Sequence, residues 1–462
     1  MTDQYDLVIV GGGPAGLAAA IEADRYGLTV IVLDDQQRVG GQIYRSVEKN
    51  RHDSIELLGD DYFYGRTLAQ KFAATDVNYQ SRASVWHATA SGTVIYSRKN
   101  QSHQIEGKHL LLATGAMERP FPIPGWTLPG VMGAAAADTL FKSSSLVPSG
   151  KVVLAGSGPL LLLIAYRLLQ SAVDLKAIIN TSERKNLLTA LPYFPGALKN
   201  RKLLTKGIKL QWYLMRSGVP IYRGIDQLKA QGTDKVESVS FRAGSTPQEI
   251  LVDTLLLHEG VIPNTQITKL IGCEHEWDAC QRYWQPITDQ WGNSKLDQVT
   301  VVGDLSGISG AKTAEMSGHL AGLNIAQQLG RISEAERNWQ ARSYRSFLNK
   351  ELAIRPFIDR LYRPNLKNIV PADDKTIVCR CEEVTAGQIR SSVDLNCVGP
   401  NQVKTQTRCG MGACQGRMCG PTSAEIVAAR QQKPIEEIGY LHVRPPLKPI
   451  SIEEMIGFKA ER

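Results

Sequence analysis

The chain has 462 residues, which exceeds one ordinary domain and predicts about three domains. Its hydrophobic content of 43% and its 41 glycines are typical of an α/β protein with many tight turns between strands and helices. No apolar run approaches the roughly 18 to 20 residues that span a bilayer, and the net charge of +8 is concentrated in residues 184–223 and 331–367, which lack the aromatic spacing of a nucleic-acid-binding surface.

The first residues lead almost at once into an apolar strand and lack a basic region followed by an apolar one. No secretory signal is therefore expected, and we predict a cytoplasmic protein. Its cysteines should then stay reduced, so that clustered cysteines act as ligands and do not form disulfides.

A nucleotide-binding unit is predicted at the start of the chain. Residues 7–10 form an apolar strand and residues 17–23 an apolar helix, with a glycine-rich turn between them. In such a turn the first glycine permits the tight bend, the second admits a pyrophosphate and the third lets helix and strand pack closely. A second strand, residues 29–33, leads to a carboxylate that would accept hydrogen bonds from ribose hydroxyls. The candidate residues of this unit are Gly11, Gly13, Pro14, Ala15, Gly16 and Asp34.

Three later segments bear on the choice between NAD and FAD. They are the turn at 40–43, the strand and small-residue turn at 110–116, and the strand at 299–302 with the Gly-Asp pair that follows it. In these segments the chain resembles flavoproteins with two dinucleotide-binding domains, and the resemblance implies that they complete one FAD site. The residues it assigns to that site are Gly41, Gln42, Thr114, Gly115, Gly303 and Asp304. From the residues alone, Asp304 is equally well explained as an N-cap for the helical run after Gly310.

A second copy of the nucleotide-binding unit is predicted between those segments. An apolar strand at 151–155 is followed by a turn with Gly156 and Gly158 and by an apolar helix. Leu161 replaces the third glycine, and the next strand ends at Asn180 where an acid is expected, so we predict no efficient NAD(P)H site. The alternatives left open are a degenerate unit and a second site for FMN, ATP or ADP.

The flavin region lacks the cysteine pair of disulfide reductases. Reductases of the family that the chain resembles carry a Cys-x-x-Cys pair beside the flavin, and here no cysteine precedes Cys273. Thioredoxin-reductase activity is therefore not expected, and Cys273 and Cys280 are interpreted as ordinary core or surface thiols.

Residues 331–365 predict an amphipathic helix that joins the flavoprotein body to a cysteine-rich module. Apolar side chains recur there at helical spacing, and the run is interrupted at Pro356 and stopped at Pro364. Within the module, Thr385 and Gln388 have the spacing of a capping box at the start of a helix.

Six of the eight cysteines lie in residues 379–419, and this concentration predicts a metal centre. The first pair is separated by one residue, whereas structural zinc sites use about two to four, so the spacing favours an iron–sulfur cluster over zinc. The module resembles the bacterioferritin-associated-ferredoxin-like (BFD-like) domain, a small 2Fe-2S fold. That resemblance implies four ligands, which are Cys379, Cys381, Cys414 and Cys419. Cys409 in place of Cys419 stays open, and Cys397 is expected to be a bystander.

Over nearly its whole length the chain resembles the α subunits of multi-subunit amino-acid-oxidising dehydrogenases. That group includes hydroxyproline dehydrogenase, archaeal proline dehydrogenase, opine oxidase and hydrogen cyanide synthase. The motifs that carry the resemblance are residues 40–44, 113–116, 414–417 and 443–449. The resemblance implies that a partner flavin subunit similar to D-amino-acid oxidase oxidises the substrate. This chain would then pass the electrons through FAD and a 2Fe-2S cluster to a carrier such as quinone, often together with a small ferredoxin-like γ subunit.

No substrate-oxidising residue is therefore assigned to this chain. Two other functions stay open at this stage: a self-sufficient NAD(P)H-dependent flavin reductase, and a subunit whose inserted unit is a structural or regulatory nucleotide pocket. Nucleic acid is not an expected partner, whereas peripheral contact with a membrane is left open.

The expected fold is α/β, with two Rossmann-like dinucleotide-binding domains, one inserted in the other, and a small, mainly helical C-terminal 2Fe-2S domain. The FAD-binding domain is expected at 1–120 and 290–335, and the inserted domain at 121–289. A helical linker at 336–375, the BFD-like domain at 376–432 and a tail at 433–462 complete the chain.

Overall fold

The computed structural model describes residues 3–49, 55–456 and 458. The end of the predicted tail, at residue 457 and residues 459–462, lies outside this part of the chain. No helix among the described residues is long and apolar enough to cross a membrane.

The first part of the chain alternates strands and helices. Its elements are β1 (Asp3–Val10), α1 (Pro14–Arg25), β2 (Val30–Asp34), α2 (Ile55–Leu58), α3 (Asp60–Ala73), β3 (Asn78–Ser81), β4 (Ser84–Ala88), β5 (Thr93–Arg98), β6 (Gln101–Leu112) and β7 (Ala116–Glu118). Pro14 stands at the first position of α1, where a proline removes no helical hydrogen bond.

A second set of elements follows. They are β8 (Val131–Gly133), α4 (Ala134–Ser144), β9 (Lys151–Ser157), α5 (Pro159–Gln170), β10 (Asp174–Asn180), α6 (Lys185–Ala190), α7 (Phe194–Ala197), α8 (Arg201–Arg216), β11 (Ile221–Arg223), β12 (Ile225–Gln231), β13 (Ser238–Ala243), β14 (Thr246–Leu251), β15 (Thr254–Glu259), β16 (Val261–Pro263), α9 (Gln266–Leu270), β17 (His275–Asp278) and β18 (Tyr283–Pro286). Single 3₁₀ turns connect α6 to α7 and α7 to α8.

The rest of the chain returns to the first domain and then becomes mainly helical. Its elements are β19 (Val299–Val301), α10 (Ala311–Gln328), α11 (Glu334–Leu352), α12 (Arg355–Leu361), α13 (Leu366–Ile369), β20 (Ile377–Cys379), β21 (Val384–Thr385), α14 (Ala386–Asp394), α15 (Pro400–Thr407), α16 (Cys419–Gln431), α17 (Ile435–Ile438) and α18 (Ile452–Ile456).

Two local predictions in this region can be compared with the structure. The linker is helical, as predicted. Pro356 does not interrupt a helix, because it lies in the first turn of α12. The break between α11 and α12 falls instead at Ala353 and Ile354. The capping box is confirmed: Thr385 Oγ1 accepts a hydrogen bond from the Gln388 backbone, and the Gln388 side chain accepts one from the Thr385 backbone.

Residues on both sides of the inserted domain share one sheet. Its order is β3-β2-β1-β6-β5-β4, and β19 also pairs with β6. The strands β1, β2, β3, β6 and β19 run parallel, and β4 and β5 extend the sheet as an antiparallel edge. Apolar clusters bury both faces of the sheet, which is the usual environment of parallel strands.

The inserted part builds its own parallel sheet, in the order β11-β10-β9-β15-β8. A three-stranded antiparallel sheet, β12-β13-β14, covers one side. The short antiparallel pair of β7 and β16 connects the two units. These two Rossmann-like units, one inside the other, together with the mainly helical C-terminal module confirm the predicted fold class.

A buried arginine joins the two units. Arg119, directly after β7, donates hydrogen bonds to three backbone carbonyls: Nε to Glu259 at 3.1 Å, Nη1 to Arg282 at 2.8 Å and Nη2 to Gln281 at 2.5 Å. The guanidinium therefore ties the end of β15 and the β17–β18 hairpin to the connecting strand.

The cysteine module is attached to the same junction by two contacts. The Arg282 side chain binds the buried carboxylate of Glu425 on α16, with Nε at 2.9 Å from Oε1 and Nη2 at 2.5 Å from Oε2. Trp126 Nε1 donates a hydrogen bond of 2.6 Å to the carbonyl of Ile377 on β20. The module is thus held directly against the inserted domain.

The Glu425→Gln variant should loosen this attachment. Because the change leaves the Arg282 cation without its buried counter-charge, we expect a loss of about 3 kcal/mol in the free energy of unfolding of the cysteine module. Urea titration followed by the visible absorption of the module's metal centre measures this loss.

Arg430→Gln is the matched control on the same helix. Arg430 and Asp394 form an exposed ion pair that solvent screens, so the loss should be much smaller than in Glu425→Gln. Equal losses in the two variants would contradict an anchoring role for Glu425.

Candidate functional site

The first glycine-rich turn has the shape that a pyrophosphate site needs. A methyl group on Gly16 would lie 1.9 Å from the Gly11 carbonyl oxygen, and one on Gly11 would lie 2.4 Å from the Ala113 carbonyl oxygen, so both glycines serve close backbone packing. A methyl group on Gly13 would meet only Gly41 Cα, at 3.9 Å, which leaves open space above the turn. No side chain caps α1, so its first backbone N–H groups can bind an anion.

Asp34 stands at the end of β2, on the same side of the sheet. Its Oδ1 accepts a hydrogen bond of 2.9 Å from the Gln36 backbone. Its Oδ2 is buried against Gly12. Burial raises the pKa of the Asp34 carboxyl to about 6. A buried acceptor in this position fits the ribose hydroxyls of an adenine dinucleotide.

The structure places Gly41 and Gln42 beside the first turn. A methyl group on Gly41 would lie 3.0 Å from Gly13 Cα, and the Gln42 side chain accepts a hydrogen bond of 2.7 Å from Arg45 Nη2. The buried Lys142 of α4 reaches the Gln42 carbonyl with its Nζ, at 3.4 Å. The inserted domain thus contacts the first nucleotide site through α4.

Thr114 and Gly115 lie where β6 ends and contact the segment after β16. Thr114 Oγ1 donates a hydrogen bond of 3.2 Å to the Asn264 carbonyl, and the Asn264 backbone N–H donates one of 2.9 Å to the Gly115 carbonyl. These bonds join the two domains at the edge of the first nucleotide site.

Gly303 and Asp304 follow β19 and lead into α10. A methyl group on Gly303 would lie 2.8 Å from Ala15 Cβ, so this turn packs on the start of α1. Asp304 Oδ1 accepts hydrogen bonds of 2.9 Å from the backbones of Ser309 and Gly310. One carboxylate oxygen therefore orders the loop that leads into α10, while the second oxygen remains as a further acceptor. The capping explanation is wrong in its detail, because Gly310 is the N-cap of α10 and no side chain of the described residues caps this helix.

The inserted unit keeps its two glycines but has different neighbours. A methyl group on Gly156 would lie 1.7 Å from the His258 carbonyl oxygen, and one on Gly158 would lie 3.5 Å from His258 Nε2. The buried His258 ring also contacts Glu118, with Nδ1 at 2.7 Å from Oε1. Leu161 is fully buried at the third-glycine position. An imidazole and a carboxylate thus stand near the turn that would receive a phosphate.

The end of β10 also differs from a dinucleotide site. Asn180 Oδ1 accepts a hydrogen bond of 2.8 Å from the Ser182 backbone, and Ser182 Oγ lies 2.7 Å from Ser157 Oγ. These polar groups bind one another, and none supplies the carboxylate that recognises ribose in NAD sites.

Five of the six C-terminal cysteines, all but Cys397, lie near one another. The Sγ atoms of Cys379, Cys409 and Cys419 all lie within 4.8 Å of one another, and all three residues are buried. Cys414 is within hydrogen-bonding reach of Cys419 and of the exposed Cys381. Cys409 and Cys419 are therefore both placed to complete a set of four thiolates.

Hydrogen-bond donors surround these sulfurs. The thiols of Cys409 and Cys419, and then the backbone N–H groups of Gly410 and Glu382, bring the pKa of Cys379 down to about 2. The Cys419 thiol, together with backbone N–H groups of the same loop, lowers the pKa of Cys414 to about 5. Soft anionic sulfurs that accept N–H bonds are the donor set that holds an iron–sulfur cluster.

One pocket lies between the segment that contacts the Thr114–Gly115 turn and the loop that carries Cys414 and Cys419, called the cysteine loop below. Asn264 and Gln266 line it from one side, Trp284 from the β17–β18 hairpin, and Arg417 from between Cys414 and Cys419. Each of these four side chains places one buried polar atom that has no hydrogen-bond partner in the part of the chain that the structure describes. The pocket is therefore polar enough to order water or the polar edge of a ligand.

Sequence reasoning missed several buried charges that shape these sites. Arg119 is one, and a second group is the triad in which Asp138 binds both Lys142, at 2.7 Å, and Arg167. The available signal was the presence of charged residues inside otherwise apolar segments, such as Asp138 after four alanines and Arg167 in the apolar run of α5.

Two family models match the chain. The pyridine nucleotide-disulphide oxidoreductase model matches residues 5–318, and the BFD-like 2Fe-2S binding domain model matches residues 377–429. The first match contains both parallel sheets, and the second contains all five clustered cysteines. The first family is one of FAD-binding proteins, and the second binds a 2Fe-2S cluster, in agreement with the groups that the two sites fit.

Relatives match over nearly the full length. The A subunit of opine oxidase from Agrobacterium tumefaciens (strain Ach5) is 39% identical, covering 98% of this chain and 92% of its own length. The HcnB subunit of hydrogen cyanide synthase from Pseudomonas aeruginosa is 30% identical, covering 96% of each chain. The resemblance deduced from the motifs is thereby confirmed.

Solved structures show the same fold. L-proline dehydrogenase from P. horikoshii superposes with a TM-score of 0.72 at 20% identity, covering 98% of this chain and 80% of that chain. Thioredoxin reductase from T. acidophilum superposes with a TM-score of 0.51 at 18% identity, covering 71% and 99%.

Asp34→Ala should weaken the binding of FAD to the flavin-free chain by roughly ten- to a hundredfold, because two hydrogen bonds between a carboxylate and ribose hydroxyls are lost. Flavin fluorescence titration measures the dissociation constant. Asp35→Ala is the control, because the exposed Asp35 side chain binds Lys448 and not the turn.

The pH dependence of FAD binding supplies a second test of the Asp34 carboxylate. Because the pKa of Asp34 is raised to about 6, the carboxyl is protonated below that pH, and the affinity for FAD should fall as the pH drops through about 6. Asp34→Asn should abolish this dependence. An unchanged pH profile in Asp34→Asn would contradict the assignment.

Serine variants of the cysteines test the metal site. Replacing Cys379, Cys381 or Cys414 should abolish the iron–sulfur absorption and the electron paramagnetic resonance signal of the dithionite-reduced protein. Of Cys409→Ser and Cys419→Ser, only one should do so, because four thiolates suffice and five converge.

Cys397→Ser is the matched control, since Cys397 is buried in the same module but outside the group. Loss of the signal in this variant, or its survival in all of the others, would contradict the assignment. A colourless protein that contains zinc would refute the cluster.

Proposed function

This chain belongs to the pyridine nucleotide-disulphide oxidoreductase family, together with the A subunit of opine oxidase and HcnB, and we propose from this that it is an electron-transfer subunit of a flavin-dependent dehydrogenase complex. The complex would oxidise an amino acid or a secondary amine. The candidate substrates are hydroxyproline or proline, an opine, and glycine.

The observation that carries the proposal is a pocket that is lined by segments next to both sites. Asn264, which binds the Thr114–Gly115 turn, lines the pocket that Arg417 of the cysteine loop also lines. When bound, FAD would take up electrons in pairs and a 2Fe-2S cluster would carry them one at a time. In this proposal the role of the protein is to hold both sets of donors in one body.

The partner we infer is a flavin subunit similar to D-amino-acid oxidase, on which the substrate is oxidised. A small ferredoxin-like subunit is a further expected component, and a quinone or a similar carrier is the expected acceptor. We expect the assembly to act in the cytoplasm.

The inserted unit gives little support to the alternative function, a flavin reductase driven by NAD(P)H. Leu161 fills the third-glycine position, and Asn180 stands where NAD sites have an acid. FMN, ATP and ADP stay the candidate occupants of that unit, and extraction of bound nucleotides followed by chromatography identifies them.

The isolated chain should not oxidise proline, hydroxyproline, opines or glycine at the rate of the complete complex, because the substrate site lies on the partner. The measurement compares dye reduction by the purified chain with that of the complex purified from its native source. Full activity of the chain alone would refute the proposal.

A second measurement addresses the alternative. Anaerobic addition of NADH or NADPH should leave the flavin absorption of the isolated chain unchanged. Rapid bleaching would instead establish the NAD(P)H-dependent reductase.

A further inference from the structure

Exposed apolar side chains are concentrated in one basic stretch of the inserted domain. Of the 25 large apolar side chains that are exposed among the described residues, ten lie between Leu187 and Met215. The enclosing stretch, residues 184–223, carries nine Lys or Arg and no Asp or Glu. Such a concentration marks an interaction site.

The pattern is most regular on α8. Ile208, Trp212 and Met215 follow the i, i+4, i+7 spacing of one helical stripe and are 58%, 51% and 63% exposed. Three exposed cations follow at seven-residue intervals along one side of that stripe: Lys202, Lys209 and Arg216. These six residues are called the α8 surface below.

The cations of the α8 surface have no carboxylate partner. No ion pair joins Lys202, Lys209 or Arg216 to an acid within the described ranges, and the Arg216 guanidinium lies 3.7 Å from the centre of the Trp212 ring. A surface of this kind fits a counterpart that is apolar and acidic, because the unpaired cations favour complementary charge.

The α8 surface is rigidly supported from beneath. Leu214 is fully buried, Tyr213 stacks edge-on against Tyr166 of α5, and the Tyr213 hydroxyl accepts a hydrogen bond of 2.8 Å from Gln170. The helix is therefore fixed before a partner arrives, which lowers the entropic cost of binding.

The same helix adjoins the first nucleotide site. Lys206 of α8 lies 2.6 Å from Asp61 Oδ2, and Lys312 lies 3.1 Å from Asp61 Oδ1. Lys312 is the second residue of α10, and Asp304 orders the loop that leads into this helix. Lys206 lies on the face of α8 opposite to the apolar stripe of the α8 surface, so a protein bound to that stripe would be separated from the contact with Asp61 by one helix diameter, about 10 Å.

We propose that the α8 surface binds the substrate-oxidising flavin subunit through an apolar and acidic surface of that subunit. This inference rests on the proposed function. A partner protein accounts better than a bilayer for the position of the surface, because transfer of electrons requires the partner to lie close to the nucleotide site, whereas binding to lipid does not.

Footprinting of the native complex tests the proposal. Hydroxyl-radical oxidation of Trp212 and Met215 and acylation of Lys202 and Lys209 are compared between the isolated chain and the complex that contains the flavin-bearing subunit. We expect at least fivefold protection in the complex. Trp339 of α11, which is 63% exposed, is the internal control and should stay reactive.

Variants provide an independent test. Trp212→Glu and Lys209→Glu should each weaken, by at least tenfold, the association with the purified flavin-bearing subunit, while the flavin and cluster absorption of the chain stay unchanged. Trp339→Glu is the matched control and should bind normally.

The outcomes separate the two proposals. If the flavin-bearing subunit binds but the α8 surface stays reactive and Trp212→Glu binds normally, the docking inference is wrong and the proposed function stands. If the native protein is purified with no flavin-bearing partner, both are wrong. Protection of Trp212 by phosphatidylglycerol vesicles and not by the subunit would overturn the inference in favour of a membrane surface.

Discussion

The buried guanidinium of Arg119 is the interaction on which the relative placement of the sites depends. It joins carbonyls of Glu259, Gln281 and Arg282, which lie 140 to 163 residues further along the chain. Burial lowers the pKa of Arg119 to about 10, so the group stays charged at neutral pH and its donors stay in place. Arg282 in turn binds Glu425 of the cysteine module, so one charged network connects all three parts of the chain.

This network has a consequence for electron transfer. Two Rossmann-like domains that are joined only by two short strands could move relative to each other. Here the hydrogen bonds of Arg119 to backbone carbonyls and the ion pair of Arg282 with Glu425 fix the connection. The cysteine loop therefore stays next to the segment that contacts Thr114 and Gly115. A fixed separation suits the proposed electron-transfer role, because electrons could then pass between two groups without a conformational step.

The surface of the inserted domain gives that domain a role beyond nucleotide binding. Its nucleotide turn lacks the third glycine and the ribose acid, while α8 carries an exposed apolar stripe beside a line of cations. The domain also reaches the first nucleotide site through Lys142 on α4 and through Lys206 on α8. Its core thus supports contacts with the rest of the chain and presents a surface, and neither role requires a complete NAD site.

The sequence by itself determined features that depend on neighbouring residues. The glycine turns, the capping box at Thr385 and the spacing of Cys379 and Cys381 are local patterns, and they sufficed for the fold class and the kinds of cofactor. Tertiary structure alone decided that both Cys409 and Cys419 lie within 4.8 Å of Cys379, and that Arg119 connects three segments. It also decided that α8 leaves Trp212 exposed. These features bring together residues far apart in the chain, and burial and pairing at that distance depend on how the domains pack, which no local spacing encodes.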